Sequence, residues 1–219
     1  MTTFLTEARE TVAPRRGGKD GLLPPLLVAL TVVTGLVDAF SYLVLGHVFV
    51  ANQTGNVVFF AFALAGVGGF SATASVAAIG CFALGALVAG RLGRSLAGRR
   101  GLLLGVTAGI QAVLVAEAVT MAALTASPMP AGLRYALIVV LSVTMGAQNA
   151  TARKLAVPDL TTTVLTLTIT GMAADSPLAG ALLVLRVHIV YPLVIALVIL
   201  AVVAIAAVAW ARNPRTPAT

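Results

Sequence analysis

Long apolar runs separated by short polar or glycine-rich intervals make up most of this chain. The first run, from about Leu22 to Val50, predicts a membrane span, with Pro24 and Pro25 in its first turn, where missing N–H groups cost little. The next apolar stretch, Gly55 to Phe70, is about fifteen residues long and ends in Gly66, Gly68 and Gly69. A helix needs about 20 residues to cross about 30 Å of hydrocarbon, so this stretch is expected to be a broken or re-entrant segment. Further spans are predicted at about Thr73–Ala89, Leu102–Leu124 and Ala131–Ala150. The stretch Leu178–Trp210, apolar except for Arg186 and His188, must supply the fifth and sixth. Between them, Leu165-Thr166-Leu167-Thr168-Ile169-Thr170 alternates like a strand. An open strand in lipid would leave its backbone groups unpaired, at several kcal/mol each, so a helix is expected over Thr161–Thr170, with Thr162, Thr163, Thr166 and Thr170 on one face.

Composition agrees with that pattern. Hydrophobic residues make up 59% of the chain and charged ones 10%, with a mean hydropathy of +1.05, whereas a soluble domain carries about 25% charged residues. The net charge of +7 resembles a nucleic-acid signal until the basic residues are placed. They stand where apolar runs end: Arg9, Arg15, Arg16 and Lys19; Arg91, Arg94, Arg99 and Arg100; Arg153 and Lys154; Arg212 and Arg215. That is the distribution of cytoplasmic loops, and it argues against a nucleic-acid partner. If the N-terminus is inside and Gly55–Phe70 does not cross, every one of these clusters falls on the cytoplasmic side. Counting that segment as a crossing puts four arginines outside. The expected organisation is a cytoplasmic tail over 1–21, one transmembrane domain over 22–211 and a second cytoplasmic tail over 212–219. The polar first twenty residues lack the short apolar core of a signal peptide, so the first span is expected to be retained. Cys81 alone cannot form an intrachain disulfide or a cysteine-based zinc site, and His47 and His188 are too few for a metal centre. The chain has no metalloprotease pair, nucleophile elbow or phosphate loop, so neither enzymatic activity nor a cofactor is expected.

Asp38 is the most informative residue. It lies about sixteen positions into the first run, roughly 24 Å along a helix, near the middle of a span some thirty residues long. An ionisable group in a span costs roughly 2.5–3.5 kcal/mol on insertion scales and marks a functional site by default. It is read either as a proton or cation site, since desolvation favours the neutral carboxyl, or as a structural carboxylate bonded to threonines and backbone of a neighbouring helix. Asn52, Gln53, Thr54 and Asn56 follow as a polar knot at an expected helix break, of the kind that binds ions or solutes; the alternative is an N-cap and turn at the membrane surface. An echo follows in Gly146, Gln148 and Asn149 and then Thr161–Thr163, with Gly35/Gly146, Asp38/Asn149 and Ala39/Ala150 in register. Two such interruptions, one per half, suggest a 3+3 inverted repeat. Glu117, with Gln111 two turns earlier, is a second acid within a span, serving either a relay or an interhelical bond. Asp159, after Pro158, is expected to cap the threonine helix, and Asp175 lies near a helix end. Interhelical glue is the alternative for Gln148, Asn149 and Thr151. Cys81, Gly85, Ala89 and Gly93 place a small residue every four positions, which predicts a close helix–helix seam.

Four motifs carry a family resemblance: Gly35-Leu36-Val37-Asp38-Ala39-Phe40-Ser41-Tyr42, Val48-Phe49-Val50-Ala51-Asn52-Gln53-Thr54-Gly55-Asn56, Gly146-Ala147-Gln148-Asn149-Ala150-Thr151-Ala152-Arg153 and Val157-Pro158-Asp159-Leu160 with the threonines to Thr166. They resemble the bacterial YoaK family, domain of unknown function 1275, over about residues 22 to 211. The resemblance implies an integral protein of the bacterial inner membrane with about six helices and a permease-like role. It brings no established substrate or catalytic residues. The chain departs from the family pattern after Asp175-Ser176, where Pro177-Leu178-Ala179-Gly180 leads almost directly into Ala181-Leu182-Leu183-Val184. About ten apolar residues before Arg186 cannot span alone.

The expected fold is therefore all-α: a polytopic membrane protein of about six transmembrane helices with broken or re-entrant segments and both termini cytoplasmic. The expected activity is secondary transport of a small solute, coupled to protons through Asp38. Its path would be lined by Asn52, Gln53, Thr54, Asn56, Glu117, Gln148, Asn149, Thr162, Thr163 and Thr166. The expected partners are the lipid bilayer and a small-molecule solute, and six spans, few for a carrier, suit a homodimer. The alternative is a non-transporting scaffold or regulator whose polar residues serve packing.

Overall fold

The computed structural model describes residues 21–125, 129–155 and 190–212, and their regular structure is entirely helical. The threonine segment, Asp159, Asp175 and the expected fifth span lie outside the described residues. Six helices are described: α1 Leu23–Val44, α2 Gln53–Leu64, α3 Ala72–Ser95, α4 Arg100–Ala123, α5 Ala131–Leu155 and α6 Tyr191–Arg212. All but α2 are 22–25 residues long and apolar enough to cross a bilayer. The protein is a multi-pass membrane protein.

The first span is shorter than the hydrophobic run suggests. It stops at Val44 because Gly46 adopts a left-handed φ of 91° and the His47 N–H closes back onto the Tyr42 carbonyl at 3.0 Å, the Schellman arrangement that ends helices at glycine. The apolar residues Val48, Phe49 and Val50 continue as loop. Asp38 is consequently six residues from the helix end, about 9 Å along the axis, and not at mid-span as its place in a thirty-residue run suggests.

Contacts between helix ends fix the directions. A Cβ on Gly21, before α1, would lie 2.9 Å from the Trp210 ring near the end of α6, and one on Gly101, in the first turn of α4, 2.6 Å from the same ring. So α1 and α4 start where α6 ends. The short links on either side of α4 make α3 and α5 antiparallel to it, and the Arg100 guanidinium at the start of α4 donates to the Leu155 carbonyl at the end of α5. At the opposite end, the Thr73 and Tyr135 hydroxyls meet at 2.7 Å, joining the starts of α3 and α5. It follows that α1 ends and α3 begins on the same side, so α2 does not cross. This placement gathers Arg91, Arg94, Arg99, Arg100, Arg153, Lys154 and Arg212 at one end and leaves Arg134, alone among the described basic residues, at the other.

The packing is nearly symmetric. α4 lies along α6, α1 along α6, α5 along α4, and α3 along α5. Exchanging α1 with α5 and α4 with α6, each an antiparallel pair, leaves the contacts among these four helices unchanged. An inverted repeat produces this relation. The α3–α5 contact is the tightest, because the helices meet backbone to backbone. A Cβ on Gly85 would stand 2.0 Å from the Val143 carbonyl oxygen, and one on Gly146 2.0 Å from that of Phe82. The small-residue spacing on α3 thus marks an internal seam, in which lipid-facing helices gain van der Waals contact that lipid tails cannot match.

Candidate functional site

The polar knot lies beside the last turns of α1. After Gly46 the chain turns back beside the last turns of α1 as irregular loop, and α2 starts at about the depth of Asp38 and climbs to the same side. His47 Nδ1, 3.0 Å from the Gly69 carbonyl, ties the two ends of this excursion together. Non-helical backbone at membrane depth persists only where its polar groups find partners inside the protein. Here side chains supply them. Asp38 Oδ1 accepts from the N–H groups of Val50 at 2.9 Å and Ala51 at 2.8 Å, and Oδ2 accepts from Asn52 N–H at 3.0 Å. Asn56, fully buried, accepts from Phe49 N–H at 2.9 Å and donates to the Phe49 carbonyl at 2.6 Å. Gln53 donates to the Val50 carbonyl at 3.1 Å, and its own amide oxygen accepts from Asn56 at 2.7 Å. Asn52 is the N-cap of α2. Around the loop, the rings of Tyr42, His47, Phe49, Phe59 and Phe70 form a closed circuit with successive centroids 4.9–5.8 Å apart.

One turn deeper on the same face of α1 stands Thr34, four residues before Asp38. It accepts from Gln148 Nε2 of α5 at 2.8 Å, and the same nitrogen donates to the Leu30 carbonyl at 3.1 Å. Because a carbonyl can only accept, the Gln148 amide is oriented with its oxygen towards α4, where Gln111 Nε2 donates to it at 2.6 Å. The orientation of Gln111 follows in turn, and its Oε1, in a residue 2% exposed, has no donor among the described residues. Thr151 donates to Thr107 at 3.2 Å beside this pair. Thr34 and Gln111 each lie eleven residues, about 17 Å, from the basic end of their helices, which is close to mid-depth in a bilayer. Gln111 also borders a cavity of about 100 Å³ between α3, α4 and α5.

The residues expected to line one path divide into several sets. Asp38, Asn52, Gln53 and Asn56 meet at the re-entrant loop, and Thr54 is exposed on the first turn of α2. Gln148 belongs to the amide cluster, stacked below that loop along α1. Asn149 and Glu117 do not join either set. Helical rotation turns Asn149 to the exposed side of α5, and Glu117 lies on the outer face of α4 with Ile110 and Val113. Thr162, Thr163 and Thr166 lie outside the described residues. Thr34, Thr107 and the acceptor role of Gln111 go beyond the sequence reading; the spacing of four from Thr34 to Asp38 is the signal that points to the first. No group of three or more His, Cys, Asp or Glu side chains comes together among the described residues.

Comparison with known proteins agrees with a membrane protein. The family model described as Protein of unknown function (DUF1275) matches residues 26–215. The UPF0700 transmembrane protein YoaK of Bacillus subtilis (strain 168) is 30% identical over 151 residues, 68% of this chain. The match spans 65% of that relative's length, just under two thirds. No solved structure matches. With the family model covering nearly all of the transmembrane region and the re-entrant motif falling inside it, the chain belongs to the DUF1275 family of membrane proteins.

Proposed function

We propose that the protein is a secondary transporter, a permease for a small solute, in the bacterial inner membrane, with its basic end and both termini cytoplasmic. The orientation follows from charge bias, which places loops rich in Lys and Arg inside. The reading is carried by one observation: a polar file runs down one face of α1 from the re-entrant loop through Asp38 and Thr34 to Gln148 and Gln111. It ends at mid-depth in an amide oxygen without a donor among the described residues, in a side chain that borders a cavity. Binding at the midplane, next to a broken segment and between repeat-related helices, is the usual plan of such carriers. The solute is handled at the amide cluster and not at Asp38, whose oxygens serve the backbone of the loop. For that reason proton coupling through Asp38 is not part of this reading.

A second reading, a scaffold or regulator without transport, is favoured by the same engagement of Asp38, Gln53 and Asn56 in backbone bonding. Ligand-dependent stabilisation separates the two. A bound solute at a hundred times its Kd stabilises the folded state by about 2.7 kcal/mol. In a thermal-shift panel of uncharged solutes, from small polyols to medium-chain alcohols, at least one should raise the Tm of the wild-type protein and leave Gln111→Leu unmoved. A panel that shifts neither protein, or both equally, contradicts transport through the cluster.

A further inference from the structure

Two helix pairs are locked through glycine, and the contact between the pairs is not. On the α3–α5 seam, Gly85 and Gly146 bring backbone against backbone. On the α4–α6 line, a Cβ on Gly101 would stand 3.2 Å from the Ala207 carbonyl oxygen, and one on Gly105 3.4 Å from that of Ala204. The close-packed glycines of α4 thus face α6, and Gly146 of α5 faces α3, so no such approach holds α4 to α5. α3 and α4 themselves touch little. What joins α4 to α5 is a row of side-chain hydrogen bonds. Arg100 donates to the Leu155 carbonyl, Thr151 to Thr107 at 3.2 Å, and Gln111 to Gln148 at 2.6 Å. The row runs from the basic end to mid-depth. Farther out, no side-chain hydrogen bond joins the two helices among the described residues.

We propose that this row is the cytoplasmic gate to the amide cluster, and that it opens when α3 with α5 and α4 with α6 move apart as two rigid bodies. The energetics select this line of parting. An interhelical hydrogen bond in lipid shifts an equilibrium by only about threefold, so a row of three can break and re-form. Helices packed through glycine would give up contact along their whole length, which lipid tails do not replace. Tight packing passes between discrete arrangements and does not deform continuously. The 96–99 link supplies a hinge: Gly98 adopts a φ of 81° with nothing within 4 Å of a new Cβ, so α4 turns there against α3. The 124–130 link and the re-entrant loop tie the bodies together at the outer end, so the parting is widest on the cytoplasmic side. The proposal deepens the transport reading and rests on it only for the motion's serving transport.

The test is a set of spin-label distances measured by double electron–electron resonance in nanodiscs, in a Cys81→Ser background. Ser95, Arg99, Arg153 and Arg212 are exposed at the basic end and accept labels as cysteines. Ser95 with Arg153 reports on the α3–α5 body, Arg99 with Arg212 on the α4–α6 body, and Arg153 with Arg212 on the space between them. Thr107→Val with Thr151→Val removes one gate bond and keeps the shape; Arg100→Gln, in a half-buried side chain, weakens another. Each change should raise a longer Arg153–Arg212 distance about threefold in population, and the two together about tenfold. Both within-body distances should stay single. The changes are also read one at a time, so a combined variant that fails to fold leaves two measurements. A within-body distance that lengthens along with the third, or an Arg153–Arg212 distance that stays single in every variant, would overturn the proposal. If a solute in the thermal-shift panel stabilises the protein and that distance still stays single, transport stands and this gate falls. A longer distance in a protein that no solute stabilises keeps the two bodies and removes transport.

Discussion

Asp38→Asn should destabilise the protein by about 2 kcal/mol in reversible unfolding from mixed micelles. The carboxylate accepts three backbone N–H groups with its two oxygens. An asparagine keeps one oxygen and turns an NH2 towards at least one of those donors, so a hydrogen bond becomes a donor–donor contact. Asp38→Ala leaves all three N–H groups of Val50–Asn52 without their acceptor and should cost about 5 kcal/mol, at 1–3 kcal/mol for each. Proteolysis should then cut the 45–52 segment preferentially. Thr54→Ala, on an exposed side chain close by, should change stability by no more than about 0.5 kcal/mol. Were Asp38 only a proton carrier, Asp38→Asn would be as stable as the wild-type protein and lose just the pH dependence of uptake.

Gly85→Ala and Gly146→Ala should each cost about 3 kcal/mol, at the upper end of overpacking effects. In both cases the added methyl meets a carbonyl oxygen of the neighbouring helix at 2.0 Å. Backbone cannot swing away as a side chain can, so α3 and α5 must separate along the whole seam. Gly80→Ala and Gly109→Ala are the controls. Each lies in a helix with nothing within 4 Å of a new Cβ, and alanine there should be neutral or stabilising by up to about 1 kcal/mol. Unfolding midpoints of the four variants, compared in one detergent, test the seam.

Much of the architecture is legible in the sequence, because in lipid the hydropathy run and the helix length follow from one constraint. The broken segment is legible for the same reason: a stretch too short to cross, together with charge bias, rejects a crossing at Gly55–Phe70. Where α1 stops is harder to read, since Val48, Phe49 and Val50 are as apolar as the span and only Gly46 marks the end. The sequence brings Asp38 and the knot to attention but cannot say what they do, because an intramembrane carboxylate that binds a cation and one that caps backbone look alike in one dimension. Asn149 shows the limit of the repeat. Twelve residues separate it from Thr161, as twelve separate Asp38 from Val50, yet its side chain is exposed where that of Asp38 is engaged. Glu117 shows another limit: a span's hydropathy does not tell which face of the helix turns outward, and its side chain is exposed.

The central claim, that the mid-depth amide cluster handles a solute, requires water to reach it from each side in turn. Ala147, on the floor of the cavity beside Gln148, is the position to test in a Cys81→Ser background. Arg99→Cys serves as the reporter of the cytoplasmic side. Ala147→Cys should react with a small membrane-impermeant thiol reagent applied to right-side-out vesicles and, separately, to inside-out vesicles, while Arg99→Cys reacts only in the inside-out preparation. An Ala147→Cys protein that stays unreactive in both preparations, with Arg99→Cys reacting as expected, would contradict transport through this cluster.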